Sequence, residues 1–479
     1  MIIMEKKDFI KLNDELWEIP KNFRPDMKAP ARIYADENLL KETFKDRSIE
    51  QLINTATLPG IQKYALAMPD IHEGYGFPIG GVCALSIKDG VISPGGVGYD
   101  INCGVRLLRS DLTFQELESH LENLANQIQA DVPSGLGRGG AMKLHDRELD
   151  QILNKGAARL LESGYAEKED LENCEAGGFL KEARAEEVSS KAKSRGRDQL
   201  GTIGSGNHFL EIEKVEKILE PEIAKIFGLF QDQIVISIHT GSRGLGHQVA
   251  TDYIQLMTRS MPKYNIKLPD RELVCVPFLS PEGQKYFSAM SAAANFAWAN
   301  RQLITYLARK VWEKVLGNGR GKLSLVYDVC HNIAKVEEYD NIKVCVHRKG
   351  ATRAFGPNNP EIPEKYRKVG QPVLIPGSMG TASYVLAGTD YAMKEVFGST
   401  CHGAGRTMSR HASLRLYSGQ ELKQDLEKQG IIIRAGSIRD LAEEAPFAYK
   451  DVDNVVNVVH NAGIAKKVAR LVPLAVIKG

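Results

Sequence analysis

Metal-binding side chains recur where apolar runs meet glycine-rich turns. Asp100 and Cys103 stand three apart in SPGGVGYDINCGVR (93–106), so one turn can aim both at a single ion. His208 follows a Gly-rich turn in QLGTIGSGNHFLEIE (199–213), His239 ends QIVISI, and His331 ends LSLVYDVC. Thiolate, carboxylate and imidazole together suit a borderline-soft divalent ion such as Zn, Mn, Fe or Co. Five protein ligands are too many for one catalytic metal, which must keep an open position. They fit two ions about 4 Å apart that share a bridging ligand, and a thiolate such as Cys103 can bridge. On spacing alone this set serves a dinuclear phosphoesterase as well as any other enzyme of phosphate chemistry.

A second group points at a nucleotide. In GSTCHGAGRTMSR (398–410), His402 is followed by Gly403, Ala404 and Gly405, which leave its ring unshielded, with Arg406 one turn on. A neutral imidazole attacks phosphorus well, so His402 is a candidate nucleophile toward a nucleotide α-phosphate. IPGSMGTASYVLAG (375–388) offers backbone amides and the Ser378 and Ser383 hydroxyls to phosphates. Arg243, in the turn after His239, has the planar fork that grips two phosphate oxygens. Strand alternation over 207–211 puts His208 and Leu210 on one face and Asn207, Phe209 and Glu211 on the other. One face is expected to bind metal, the other the nucleotide. His247 lies past its turn, in what reads as a helix, and is not expected to be a ligand. Common phosphate loops are missing: LGNGRGKL (316–323) lacks the first Gly and the Ser/Thr of GxxxxGK[ST], and there is no KxDG. GLGRGG (135–140) fits GxGxxG but follows a helix-like segment rather than a strand, so it is discounted.

These residues need a scaffold. Helical spacing of apolar residues marks 37–54, 112–129 and about 285–316, the last running to a Gly317-Asn318-Gly319 stop. Short β-branched runs at 233–238, 323–330, 343–347 and 373–375 read as strands, two of them ending at His239 and His331. Helices and strands mix without the regular alternation of a doubly wound fold, which indicates α+β. Gly-rich polar stretches are spread from about 74 to 405 without repeats or linkers, so a single intertwined domain over 1–479 is expected.

Bulk composition narrows the class. With 43% hydrophobic and 25% charged residues and a net charge of +2, the chain reads as an ordinary globular protein. Nucleic acid would have to be held by a local basic groove, for which Lys191, Lys193, Arg195 and Arg197, or Arg348, Lys349 and Arg353, are candidates. The charged N-terminus and the lack of an apolar run near 18 residues exclude a signal peptide and a membrane span, leaving the cytoplasm as the expected address. Seven cysteines without CxxC spacing read as buried thiols rather than a disulfide framework.

MPDIHEGYGFPIGG (68–81), PGGVGYDINCGVR, QLGTIGSGNHFLE, IHTGSRGLGHQ, CHNIA, PGSMGTASYVL, STCHGAGR, EAPFAYKDVDNVV and the terminal VIKG, in this order, resemble the motifs of the RtcB-type RNA ligases of tRNA splicing and RNA repair. The resemblance runs over essentially the whole chain. It implies a mixed α/β core around one deep metal-containing cleft. The implied reaction joins an RNA 2′,3′-cyclic phosphate or 3′-phosphate end to a 5′-hydroxyl end using GTP and two Mn²⁺ ions. His402 would carry a covalent guanylate, and Arg243 and Asp70 would assist at the reacting phosphates. Asp100 and Cys103 would be shared by the two ions, with His208 on one and His239 and His331 on the other. The guanine nucleotide would be held by 207–211 (Asn207, His208, Phe209, Leu210, Glu211), His331, Asn332, Pro376, Gly377, Ser378, Met379, Ser383, His402 to Gly405, and Lys478, with Tyr449 stacked on its base. RNA is the implied partner, with archease as an activating protein, and no DNA or membrane.

Overall fold

Several strands at the centre of the fold are buried along almost their whole length, so their sequences are apolar runs rather than alternations. Gln233–Thr240 is buried at every residue and Ser324–Cys330 at all but the first. The computed structural model describes residues 5–135 and 139–479; residues 136–138 of the discounted GLGRGG stretch lie outside them.

Two large sheets dominate. The first runs Ile10–Lys11, Leu16–Ile19, Ala31–Tyr34, Ile61–His72, Ile79–Ser86, Ile342–Lys349, Asn332–Tyr339, with one parallel pair at Ala31–Tyr34 and Ile61–His72. The second runs Ser324–Cys330, Gly104–Thr113, Gln233–Thr240, Phe209–Ile218, Ala465–Lys478, Ser383–Gly388, Pro372–Ile375, and Ile432–Ala435 pairs in parallel with the C-terminal strand. The chain passes from the second sheet to the first at His331, between Cys330 and Asn332. Two mainly antiparallel sheets with helices interspersed make the fold α+β, as the sequence indicates.

The expected strands are all present, three of them slightly longer than read and the fourth, Ser324–Cys330, one residue shorter. The helix expected over 285–316 is Pro281–Leu316, started by Ser280, whose hydroxyl accepts the Gly283 amide at 3.1 Å, and stopped at Gly317 with φ +86°. Its Ile304, Ala308 and Val311 side pack on the second sheet and its Ala293, Phe296 and Trp298 side on the helices of 146–196. The other two expected helices are interrupted. Over 37–54 the Asp46 carboxylate accepts the Ser48 amide and restarts the chain, giving Glu37–Thr43 and Ser48–Thr55. Over 112–129 the strand Gly104–Thr113 runs through Leu112, and Thr113 with Glu116 then boxes the start of Phe114–Leu117 ahead of Leu121–Asp131. All seven cysteines are free and buried, and no described helix is long and apolar enough to cross a membrane.

Candidate active site

One end of the second sheet gathers the metal-binding candidates. Register sets Cys330 beside Gly104, Gly104 beside Thr240, His239 beside Phe209, and Phe209 beside Lys478. Cys103, His208, His239, His331 and Lys478 therefore emerge together from five adjacent strands. Buried Arg301 fastens that end, donating to the Asn102 and Thr240 carbonyls at 2.9 Å each and to the Asp328 carboxylate at 2.8 and 2.9 Å. Gly241 is required there, since a Cβ on it would sit 2.4 Å from Asp100 Oδ1.

Asp100, Cys103 and His208 present ligand atoms within 4.8 Å of one another. Cys103 Sγ lies 3.4 Å from His208 Nε2 and 3.2 Å from His239 Nε2, so the thiol stands between the two imidazoles. His239 and His331 meet edge to face at 5.5 Å. His331 Nδ1 is tied to Thr352 Oγ1 at 2.8 Å, while its buried Nε2 has no partner. A buried ring nitrogen left unpaired while its twin is fixed is the arrangement a metal ligand needs. Burial, then neighbouring imidazoles, hold His239 and His331 well below the ordinary imidazole pKa, in the neutral form that ligates. Burial and the Asp100 carboxylate push the Cys103 thiol well up, a penalty that a divalent cation reverses. The donor set fits a pair of borderline-soft ions.

His402 stands on the other side of the cavity. Its Nδ1 donates to Asp70 Oδ2 at 2.5 Å, and the same oxygen accepts the backbone amides of His402 at 2.9 Å and Gly403 at 3.3 Å. Burial raises the Asp70 pKa, but the His402 contacts more than reverse this and hold it below the usual carboxylate value. An ionised Asp70 fixes the Nδ1–H tautomer and leaves the Nε2 lone pair free. Lys450 braces this arrangement, donating to the carbonyls on either side of Asp70, Pro69 at 3.1 Å and Ile71 at 2.6 Å. His331 and His402 rings are 5.5 Å apart, so the nucleophile candidate adjoins the metal cluster.

A cavity of about 330 Å³ opens beside them. Asp100, Cys103, His239 and His331 line it with His402 to Gly405, and Asn207, Phe209, Pro376 to Met379, Tyr449 and Lys478 close the far side. Asn332 lines it too, its amide held by the Asp100 carbonyl at 3.0 Å and the Gly350 amide at 2.8 Å. Tyr449 shares Arg406 and Glu444: the guanidinium lies 4.9 Å over its ring and the carboxylate accepts its hydroxyl.

The model of the family described as tRNA-splicing ligase RtcB matches residues 51–479. A Thermococcus kodakarensis protein of that name is 56% identical over 469 residues, 97% of each chain. Another, from Archaeoglobus fulgidus, is 54% identical over 475 residues, 98% of each. One from Methanococcus maripaludis is 50% identical over 480 residues, 99% of this chain and all of its own. The chain belongs to the RtcB family. It is an enzyme.

Within this RtcB-family site several residues sit elsewhere than their sequence context suggests. Asp70 is fully buried behind His402 and orients it, instead of meeting a phosphate. Arg243 lies behind His208, its guanidinium 2.5 Å from His208 Nδ1, and is not on the cavity wall. Leu210 packs in the apolar layer under the long helix, so its side chain offers nothing to a ligand. His208, at the lip of its strand, turns away from Leu210 toward Asp100, which its Nε2 reaches at 2.8 Å. Ser383 lies beneath the 376–379 loop, its hydroxyl accepting the Gly377 amide at 3.2 Å. Glu211 is buried beside Glu213; burial and that neighbour push its pKa well up, and Lys478 opposes them. Arg348 and Arg353 are fully buried, pairing with Glu337 and Glu361, so they form no nucleic-acid patch. Lys349 instead lines the cavity, its ammonium held by the Tyr75 and Phe77 carbonyls at 2.5 and 3.0 Å. His72, Tyr75, Tyr99, Arg410 and Glu444 also line it; Tyr99 and Arg410 stand within the Asp100 and His402 stretches, yet none of the five stands out by type or spacing.

Proposed function

We propose that the chain joins RNA 2′,3′-cyclic phosphate or 3′-phosphate ends to 5′-hydroxyl ends, consuming GTP through a guanylate on His402. The carrying observation is the Asp70–His402 pair, which engages Nδ1 and leaves Nε2 of a cavity-lining ring uncommitted beside the metal-binding candidates. The names of the relatives, tRNA-splicing ligases, support RNA as substrate.

In this reading His402 Nε2 attacks the GTP α-phosphorus; the N–P bond forms as the bond to pyrophosphate breaks. The RNA 3′-phosphate then takes the guanylate from His402, which regains its lone pair. Attack by the 5′-hydroxyl on the activated 3′-phosphate forms the phosphodiester and releases GMP. A cyclic phosphate is first opened to the 3′-phosphate. Asp70 stabilises the positive charge that builds on the His402 ring. Amides of 377–379 and 403–405 with Lys478 receive the phosphates, Asn207, Phe209, Glu211, Asn332 and Ser383 shape the nucleotide pocket, and Tyr449 faces the base. Asp100 and Cys103 would be shared by two Mn²⁺, with His208, His239 and His331 completing the set. When bound, the ions polarise phosphoryl oxygens and lower the pKa of an attacking group.

Incubation with Mn²⁺ and α-labelled GTP tests this. Label on the protein, stable to base, labile to acid and absent in His402→Ala, is the expected result. Absence of label on the unaltered enzyme would leave a dinuclear phosphoesterase as the reading of the metal cluster.

A further inference from the structure

Tyr75 and Tyr99 also line the cavity wall. Tyr75 meets Tyr99 edge-on at 5.6 Å and 61°, and Tyr99 lies nearly parallel to His247 at 4.9 Å and 26°. Both tyrosines are half-buried and His247 is exposed on the helix Arg243–Ser260, so three rings climb like a stair from the cavity wall to the surface. Rings stacked in the open add little to a hydrophobic core, but each offers a flat apolar face.

Basic groups flank the outer step. The helix Ser190–Gly196 lies against Arg243–Ser260, so tightly that a Cβ on Gly196 would sit 2.6 Å from Leu245. It exposes Lys191 and Arg195, neither paired with a carboxylate among the described residues. Arg195 donates to Gln248 Oε1 at 3.0 Å, next to His247. After burial, its charge is what holds His247 below the ordinary imidazole pKa. Lys193 and Arg197 are engaged by Asp150 and Asp146, and Asp252, one turn on, is engaged by Ser189 and Gln248. Negative charge lies on the inner side instead, where Glu272 accepts the Gly76 amide at 3.2 Å.

We propose that this stair receives a single-stranded RNA end, its bases stacking on Tyr99 and His247 and its phosphates following Lys191 and Arg195 into the cavity. Stacking platforms beside a cationic track are how proteins hold single strands without reading sequence. The inference rests on the RNA-ligase reading and adds to it the surface and mode by which RNA arrives.

Binding of short RNAs, one ending in a 3′-phosphate and one beginning with a 5′-hydroxyl, tests it. Each is compared with copies carrying an abasic residue at one of the terminal positions. For the strand that uses the stair, removal of one base is expected to weaken binding to the unaltered enzyme about tenfold. His247→Ala, on the exposed step, and Tyr99→Ala are expected to weaken intact RNA by a similar factor and to become indifferent to the abasic position. Tyr99→Phe retains both. Lys191→Ala and Arg195→Ala are each expected to reduce the slope of log affinity against log salt by about 1. Equal abasic penalties in the unaltered enzyme and in both alanine variants, for both RNAs, would overturn the proposal. Labelling of His402 by GTP in the same preparations reports the ligase reading separately: label with an indifferent stair rejects the stair alone, and no label rejects the ligase reading alone.

Discussion

Asp70 shows how much a single carboxylate can decide. One of its oxygens takes three N–H donors from His402 and Gly403, and the other is buried without a partner, so the ring is held by an ionised group committed to that contact. Asp70→Asn keeps the shape, and its oxygen stays with the two backbone amides that the same position serves, but it loses the negative charge that supports the His402 ring as positive charge builds on it. The rate of His402 labelling by GTP is expected to fall about 10³- to 10⁴-fold, the scale seen when an orienting aspartate of a catalytic histidine is made an amide. GTP affinity should change far less. A variant that labels within tenfold of the unaltered enzyme would show that the Asp70 charge is not what supports His402. Gly241 makes a complementary case without any charge. A methyl there must push the Asp100 carboxylate, so Gly241→Ala is expected to weaken Mn²⁺ binding about tenfold or more while the protein stays folded, as read by titration of free Mn²⁺.

At the scale of elements, the strand end that delivers His331 is held by a group far from any ligand. Glu175 is fully buried; its Oε2 accepts the Cys330 amide at 3.1 Å and its Oε1 the Lys335 ammonium at 2.5 Å, with Arg353 at 3.7 Å. Burial raises its pKa, but Lys335 and Arg353 overcome that and bring it from the ordinary 4.5 to about 2. The folded value lies below the unfolded one, so this stabilisation is complete above pH 4.5 and disappears as pH falls from there through about 2. It amounts to about 3 kcal/mol at neutral pH. Glu175→Gln is expected to unfold at lower denaturant at pH 7, with the gap to the unaltered protein closing as pH falls toward 2; a gap independent of pH would contradict the assignment. Elements of this kind were partly legible in sequence. Runs such as QIVISI announce buried strands, and Ser280-Pro281 with Gly317 bracket the long helix. Ile61–His72 was hidden because its MPDIH end carries the polar groups of an enclosed site and imitates a turn. Ala465–Lys478 was hidden because Pro473 argues against a central strand, and it is tolerated only where the register shifts between Pro473 and Ala475. The pairing of Asp70 with His402, 332 residues apart, leaves no local trace at all.

For the molecule as a whole, the candidate metal cluster would work as a clamp as well as a site. Its candidate ligands come from segments at 100–103, 208, 239 and 331, and His331 is the residue at which the chain leaves one sheet for the other. An unfolded chain cannot keep such distant donors together, so ions bound at this junction stabilise the native state by mass action. At a free Mn²⁺ concentration 100 times Kd, one site contributes about 2.7 kcal/mol. The enzyme is therefore expected to melt a few degrees lower in a chelator than in excess Mn²⁺. Geometry also separates the ligands. Cys103 Sγ stands within 3.4 Å of His208 Nε2 and 3.2 Å of His239 Nε2, whereas the His331 ring meets the His239 ring at 5.5 Å. His331→Gln should thus weaken one ion and leave the other, halving the tightly bound Mn²⁺ and about halving the thermal gain, while Asp100→Asn or Cys103→Ser should weaken both. Equal loss from all three variants would mean a single ion shared by every ligand, and the two-ion reading of five donors would have to be given up.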